Sequence, residues 1–200
     1  AALTVLERNG DRLLLAGTPV RLIGYGDYGT LSERECDYEK CFDELSSRGV
    51  NFTRVWVNYH WTQSLSPYVR RSDGKYDLTQ QSEAFYARLR QFVAYASGKG
   101  VVVQLCLFDA NSQESDVCSL RWPRSPFNRQ NNVNGFLADP GDYDVVGSRV
   151  WREVHVPLID RVVQEVGSFG NVIYEICNEP GVSQPSISVE FHRAVLERLW

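Results

Sequence analysis

Methionine is missing from all 200 residues, position 1 included, so Ala1 is not expected to be a translational start. Nowhere does the chain hold the roughly 18 uninterrupted apolar residues that a membrane-spanning helix needs, and the stretch Val101 to Phe108 is far too short. A soluble domain with no membrane partner is expected. Positive charge is not in excess either: 21 Lys and Arg stand against 25 Asp and Glu, a net charge of -4. A nucleic-acid partner is therefore not expected, because nothing is ready to neutralise a phosphate backbone. Cysteine is sparse and odd in number, five in all, with no Cys-x-x-Cys pair. That excludes a zinc ribbon and a dense disulfide framework, and leaves at least one thiol free or paired outside the chain. Cys36 and Cys41, if both lie on one helix, point about 140° apart and could not bridge. His60, His155 and His192 are too scattered for a metal centre, no Gly-x-Ser-x-Gly elbow occurs, and neither a metal nor a cofactor is expected. Low-complexity tracts and internal linkers are absent, so residues 1–200 read as a single domain.

What is present is a 43% apolar chain unusually rich in aromatics, with five Trp and ten Tyr. Such rings serve either a packed core or platforms for planar and sugar ligands. Leu3 to Leu15, with Asn9-Gly10 at its middle, predicts a β-hairpin, and Ala16 to Pro19 a second turn. Val20 to Gly24 is then a short strand ending in a loop over Gly24 to Gly29. That loop has the glycines of a dinucleotide-binding turn, but helix signals start only at Ser32, with Glu35 completing a capping box, and two tyrosines would crowd a pyrophosphate. The helix is expected to stop near Arg48-Gly49.

Strand, loop and helix then repeat. Phe52 to Val57 is a strand, Ser82 to Ala96 a helix, and Val101 to Phe108 a strand of the buried type. A long polar loop follows, from Asp109 to about Tyr143. Val145 to Val166 is a helix that Pro157 should kink, Val172 to Cys177 a fourth strand, and Phe191, Val195 and Leu199 mark a last helix. Strands that are continuous apolar runs, alternating with helices, imply an α/β fold with a parallel sheet covered on both faces. Asn51-Phe52-Thr53 has the form of a glycosylation site, but it opens a buried strand and is not expected to carry sugar.

The fourth strand ends Tyr174-Glu175-Ile176-Cys177-Asn178-Glu179-Pro180. A carboxylate at the carboxyl end of a parallel strand stands where α/β folds place ligands. The run Asn178-Glu179-Pro180 after an apolar strand resembles the fourth strand of the retaining glycosidases of glycoside hydrolase clan A, the cellulase and β-mannanase (family 5) type. The N-terminal hairpin leading into Val20-Arg21-Leu22-Ile23-Gly24 and the run Asn51 to Trp56 look like the same family's opening elements.

This resemblance implies a (β/α)8 TIM barrel of which strands 1 to 4 are present, with residues 1–19 forming a hairpin and turn at the barrel bottom. It implies hydrolysis of β-linked poly- or oligosaccharide, with Glu179 as general acid and base, Asn178 holding the sugar 2-hydroxyl, and Arg54 orienting the nucleophilic carboxylate. Such a reaction suits these residue types, since protonating a poor leaving oxygen near neutral pH calls for a carboxylic acid of raised pKa. Arg54 could equally pair inside the barrel with Glu175. The second carboxylate of a retaining mechanism lies roughly 5 to 5.5 Å from the first, and the resemblance puts it on a seventh strand beyond Trp200.

Substrate contacts are expected from Tyr59, His60 and Trp61 after the second strand, from Asp109, and from Trp122 and Asn128 in the long loop. Asp109 could also cap that loop, and the loop's asparagines could simply satisfy turns. Trp56, within its strand, reads as core. Secretion is an expectation from the family alone. Two copies of a chain ending at Trp200 could close an eight-stranded ring, which makes self-association an expectation too. The alternative reading is a non-catalytic carbohydrate-binding or structural half barrel.

Overall fold

A computed structural model of the chain describes residues 5–58, 64–114, 121–181 and 186–200. Three antiparallel strands open it: β1 (Leu6–Asn9), β2 (Arg12–Leu15) and β3 (Thr18–Val20). Asn9 pairs with Arg12, so the first turn is centred on Gly10-Asp11, one residue later than the Asn9-Gly10 expected. The second turn is tighter than its sequence suggested, because Thr18 and Pro19 already belong to β3. Its central residues Ala16 and Gly17 both take positive φ, 49° and 78°. This is the backbone that matches the twist of a two-residue hairpin. The Leu6 amide donates to the Gly170 carbonyl at 2.7 Å, fastening the hairpin sheet to the turn before the last strand.

The central sheet is parallel, in the order β4 (Gly24–Gly26), β5 (Phe52–Trp56), β8 (Val102–Asp109) and β9 (Val172–Asn178). Its first strand lies within the glycine-rich segment expected to be a loop. Gly24 is needed there: a Cβ would stand 1.9 Å from the Phe52 carbonyl oxygen, so only glycine lets β4 approach β5. Asn51 sews the same corner, accepting from the Ile23 amide at 2.7 Å and donating to the Arg21 carbonyl at 3.0 Å.

Helix α1 (Tyr38–Ser47) starts later than the Ser32 expected, because the Asp37 carboxylate, not the Ser32 hydroxyl, caps its amino end. Cys36 therefore precedes the helix. The condition that it shares a helix with Cys41 is not met, and burial, with the neighbouring Cys41, raises the Cys36 pKa. Cys36, Cys41, Cys106 and Cys177 are all free.

An antiparallel ribbon, β6 (Tyr68–Arg70) with β7 (Tyr76–Gln81), sits between β5 and α2 (Glu83–Gly98) and has no counterpart in the sequence reading. It is held from outside, the Tyr76 amide donating to the Asn131 carbonyl and the Val133 amide to the Tyr76 carbonyl. The Pro157 kink takes a specific form. Residues 151–155 are π-helical before α3 (Val156–Val166), with the Val156 amide reaching back five residues to the Trp151 carbonyl. Proline has no N–H to give the carbonyl four residues back, and the wider turn absorbs the misfit. Ser188 caps α4 (Val189–Leu199).

The outward faces of the strands, carrying Val55, Val103, Leu105 and Leu107, pack on Phe85, Leu89 and Phe92 of α2 and Leu158, Ile159 and Val162 of α3. Each such side chain contributes about 1.5–3 kcal/mol by leaving water. Trp56 and Cys106 form a separate small cluster on the sheet's other face. Among the described residues no helix is long and apolar enough to cross a membrane.

Candidate active site

Alternation along β5, β8 and β9 puts Arg54, Trp56, Gln104, Cys106 and Glu175 on the face of the sheet away from the helices. Arg54 donates to both oxygens of Glu175, from Nε at 2.6 Å and from Nη2 at 2.5 Å. The Gln104 amide adds a third donor at 2.6 Å. Burial pushes the Glu175 carboxyl up, but the hydrogen bonds from Arg54 and Gln104 outweigh it and leave the pKa below the ordinary value. The Arg54 guanidinium is correspondingly held charged by Glu175. It also lies 4.3 Å over the Trp56 ring, which meets Tyr28 on a 4.4 Å centroid distance. Trp56 is buried as expected, yet in this polar-edged layer and not among the helices.

One turn nearer the carboxyl ends, Arg54 Nη2 donates again, to Asn178 Oδ1 at 2.8 Å. Asn178 Nδ2 donates to Asp109 Oδ1, also at 2.8 Å, and the Ser112 hydroxyl donates to the other oxygen of Asp109. Arg54 thus pairs with Glu175, one of the two roles considered for it, and in addition holds the end of β9. Asp109 is 2% exposed. Burial raises its pKa against the lowering effect of Ser112 and Asn178, and the nearby charge of Glu179 raises it further.

Glu179 follows directly, exposed, with φ at +50°. A residue before proline is normally driven to extended backbone, and non-glycine residues avoid the left-handed region. Strain of this kind costs on the order of 1–3 kcal/mol and gathers at functional sites. It throws the Glu179 side chain off the end of β9 immediately after the anchored Asn178.

The loop residues divide. Tyr59, His60 and Trp61 lie outside the described residues. Trp122 is buried in the main core, and Asn128 uses its amide within the loop, accepting from the Gln130 amide at 3.0 Å and donating to the Trp122 carbonyl at 3.3 Å. Asn132 does the same on a larger scale, donating to the Pro126, Phe127 and Asn128 carbonyls and accepting from Phe136. Sequence reasoning gave Asp109 several roles but missed its bond to Asn178, and it missed Ser112 and Gln104.

The parallel sheet of alternating strands and helices is a fold that this chain shares with solved structures of glycoside hydrolases. An endo-1,4-β-mannanase from Rhizomucor miehei matches with a TM-score of 0.63 at 15% identity, over 98% of this chain and 57% of the mannanase. A glycoside hydrolase family 5 structure from Bacteroides vulgatus matches with a TM-score of 0.57 at 10% identity, over 98% of this chain and 36% of that one. Likeness at such identities is likeness of fold. The chain spans between about a third and somewhat over half of these structures' length. No family model and no curated protein matches the sequence.

Proposed function

We infer that this chain supplies the acid/base half of a retaining β-glycoside hydrolase acting on a β-linked poly- or oligosaccharide. The observation that carries this reading is Glu179, strained at φ +50° on the carboxyl end of β9 and preceded by an Asn178 that Arg54 and Asp109 both hold. In this reading Glu179 protonates the leaving glycosidic oxygen and later takes a proton from the attacking water. Asn178 bonds the 2-hydroxyl, a contact that tightens as positive charge builds on the sugar ring. Arg54 is the fixed positive charge beside the nucleophile.

That nucleophile is a carboxylate on a seventh strand of the complete barrel, of which β4, β5, β8 and β9 are the first four. Two features support continuation of the sheet. Among the described residues β4 and β9 each pair on one side only, and Tyr174 and Ile176 of β9 line an apolar groove with Leu196 and Leu199 of α4 and the following Trp200. Tyr59, His60 and Trp61, which follow β5 in the sequence, would offer rings and donors to the sugar. Secretion belongs to this proposal, since a polymeric substrate must be met outside the cell.

The test is to incubate the intact protein with β-mannan, β-glucan and aryl β-glycosides and follow the anomer first released by NMR. Release of the retained anomer supports the reading. Binding of the polysaccharide with no turnover by the intact protein would replace it with a non-catalytic carbohydrate-binding protein.

A further inference from the structure

An asparagine amide can be turned over at almost no steric cost, exchanging an acceptor for a donor. Asn178 has no such freedom. On one side the Arg54 guanidinium, which can only donate, lies 2.8 Å from Oδ1. On the other an oxygen of Asp109 lies 2.8 Å from Nδ2. Turned over, the amide would set N–H against guanidinium and C=O against carboxylate. Asp109 is itself fixed, its second oxygen taking the Ser112 hydroxyl from the turn Asn111–Gln113 that follows β8.

We propose that Asp109 is a positioning residue for glycoside cleavage, which holds the Asn178 amide so that its one remaining N–H is the donor offered to the sugar. This rests on the reading of the site as a glycosidase and goes beyond it in two ways. It removes Asp109 from the list of sugar contacts, and it makes Asn178 a donor whose target on the sugar must be an acceptor oxygen. Protonation of Asp109 does not undo the arrangement, because a neutral carboxyl still accepts through Oδ1 while its O–H turns to Ser112. An amide at position 109 can do the same.

Three variants of the intact protein test this with an aryl β-glycoside: Asp109→Ala, Asp109→Asn and Asn178→Ala. The bond Asn178 makes is strongest in the transition state, so loss of its orientation falls on kcat. Asp109→Ala is expected to lower kcat by about 10- to 100-fold with KM little changed, the range for losing a hydrogen bond to a charged group. Asp109→Asn should recover most of that loss. In an Asn178→Ala background, Asp109→Ala should add less than about threefold, as expected for residues that act as one unit. Losses that multiply, or an Asp109→Asn variant as impaired as Asp109→Ala, would overturn the proposal.

A readout independent of turnover is the side-chain NH2 signal of Asn178 in 15N-labelled protein. It should shift and exchange faster in Asp109→Ala, and an unchanged signal would overturn the positioning role whatever the enzyme assay gives. Absence of hydrolysis by the parent protein, with the NH2 signal responding as stated, would instead sink the glycosidase reading.

Discussion

Arg54 and Glu175, 121 residues apart in the chain, meet as a two-point pair on the inner face of the sheet, N to O distances being 2.6 and 2.5 Å. The pair spans β5 and β9 across the intervening β8, whose Gln104 supplies the third donor. Its value is geometric as much as energetic, since a planar fork held at two points aims the same guanidinium at Asn178.

Replacing Arg54 with Lys should therefore be far from conservative. A single ammonium cannot hold both Glu175 oxygens and Asn178 together. Turnover should fall by at least about tenfold, while the thermal midpoint drops by only a few degrees. Full activity in Arg54→Lys would show that the fork geometry is dispensable.

Glu175 also sets an acid limit. Its folded pKa lies below the ordinary carboxylate value of 4.5, so the folded state binds fewer protons than the unfolded one. The stability it contributes is present above about pH 4.5 and is lost as pH falls through the folded value. Urea unfolding of Glu175→Gln should show a shallower decline below pH 4.5 than the parent. Parallel curves would contradict this.

His155 acts in a higher window. It is fully buried among Phe108, Phe127, Tyr143 and Phe191, its Nε2 2.8 Å from the Tyr143 carbonyl, and burial lowers its pKa from 6.5 to about 4. The ring stays neutral in the fold but charges in the unfolded chain. Stability should be complete above pH 6.5 and fall by about 3 kcal/mol toward pH 4. A 13C-labelled ring that titrates near 6.5 in the folded protein would refute this.

Gly24 and Gly17 should respond differently to alanine. At Gly24 the new Cβ meets the Phe52 carbonyl, so Gly24→Ala should cost about 3 kcal/mol through displaced β4. At Gly17 nothing lies within 4 Å, and only the positive φ of 78° opposes a side chain. Gly17→Ala should cost about 1–2 kcal/mol. Equal losses in denaturant midpoint would disprove the distinction.

These two glycines also mark how far the sequence could be read. Apolar runs such as Val102–Asp109 and helical spacing in α2 are written in side-chain hydrophobicity, and both elements stand within two residues of expectation. The strand Gly24–Gly26 was hidden because it has almost no side chains to pattern, its identity resting on backbone approach to β5. The ribbon Tyr68–Arg70 with Tyr76–Gln81 was hidden for a second reason: its hydrogen bonds to residues 131 and 133 come from far along the chain. Helix α1 misled because two residues near its start, Ser32 and Asp37, both carry capping chemistry; Asp37 caps it, while Arg88 takes up the Thr30, Leu31, Glu33 and Cys36 carbonyls ahead of it. At the site, Asn178-Glu179-Pro180 was legible as a motif. The bonds tying Asn178 to Arg54 and Asp109 were not, since they join strands whose pairing register no local pattern states.

The most direct measurement is kcat/KM of the intact protein and its Glu179→Gln variant on two aryl β-glycosides, one with a poor and one with an activated leaving group. With Glu179 as general acid, the variant should lose about 10²–10⁴-fold on the poor leaving group and far less in the first step on the activated one, with substrate binding kept. Equal turnover by variant and parent on the poor leaving group would remove Glu179 from the chemistry.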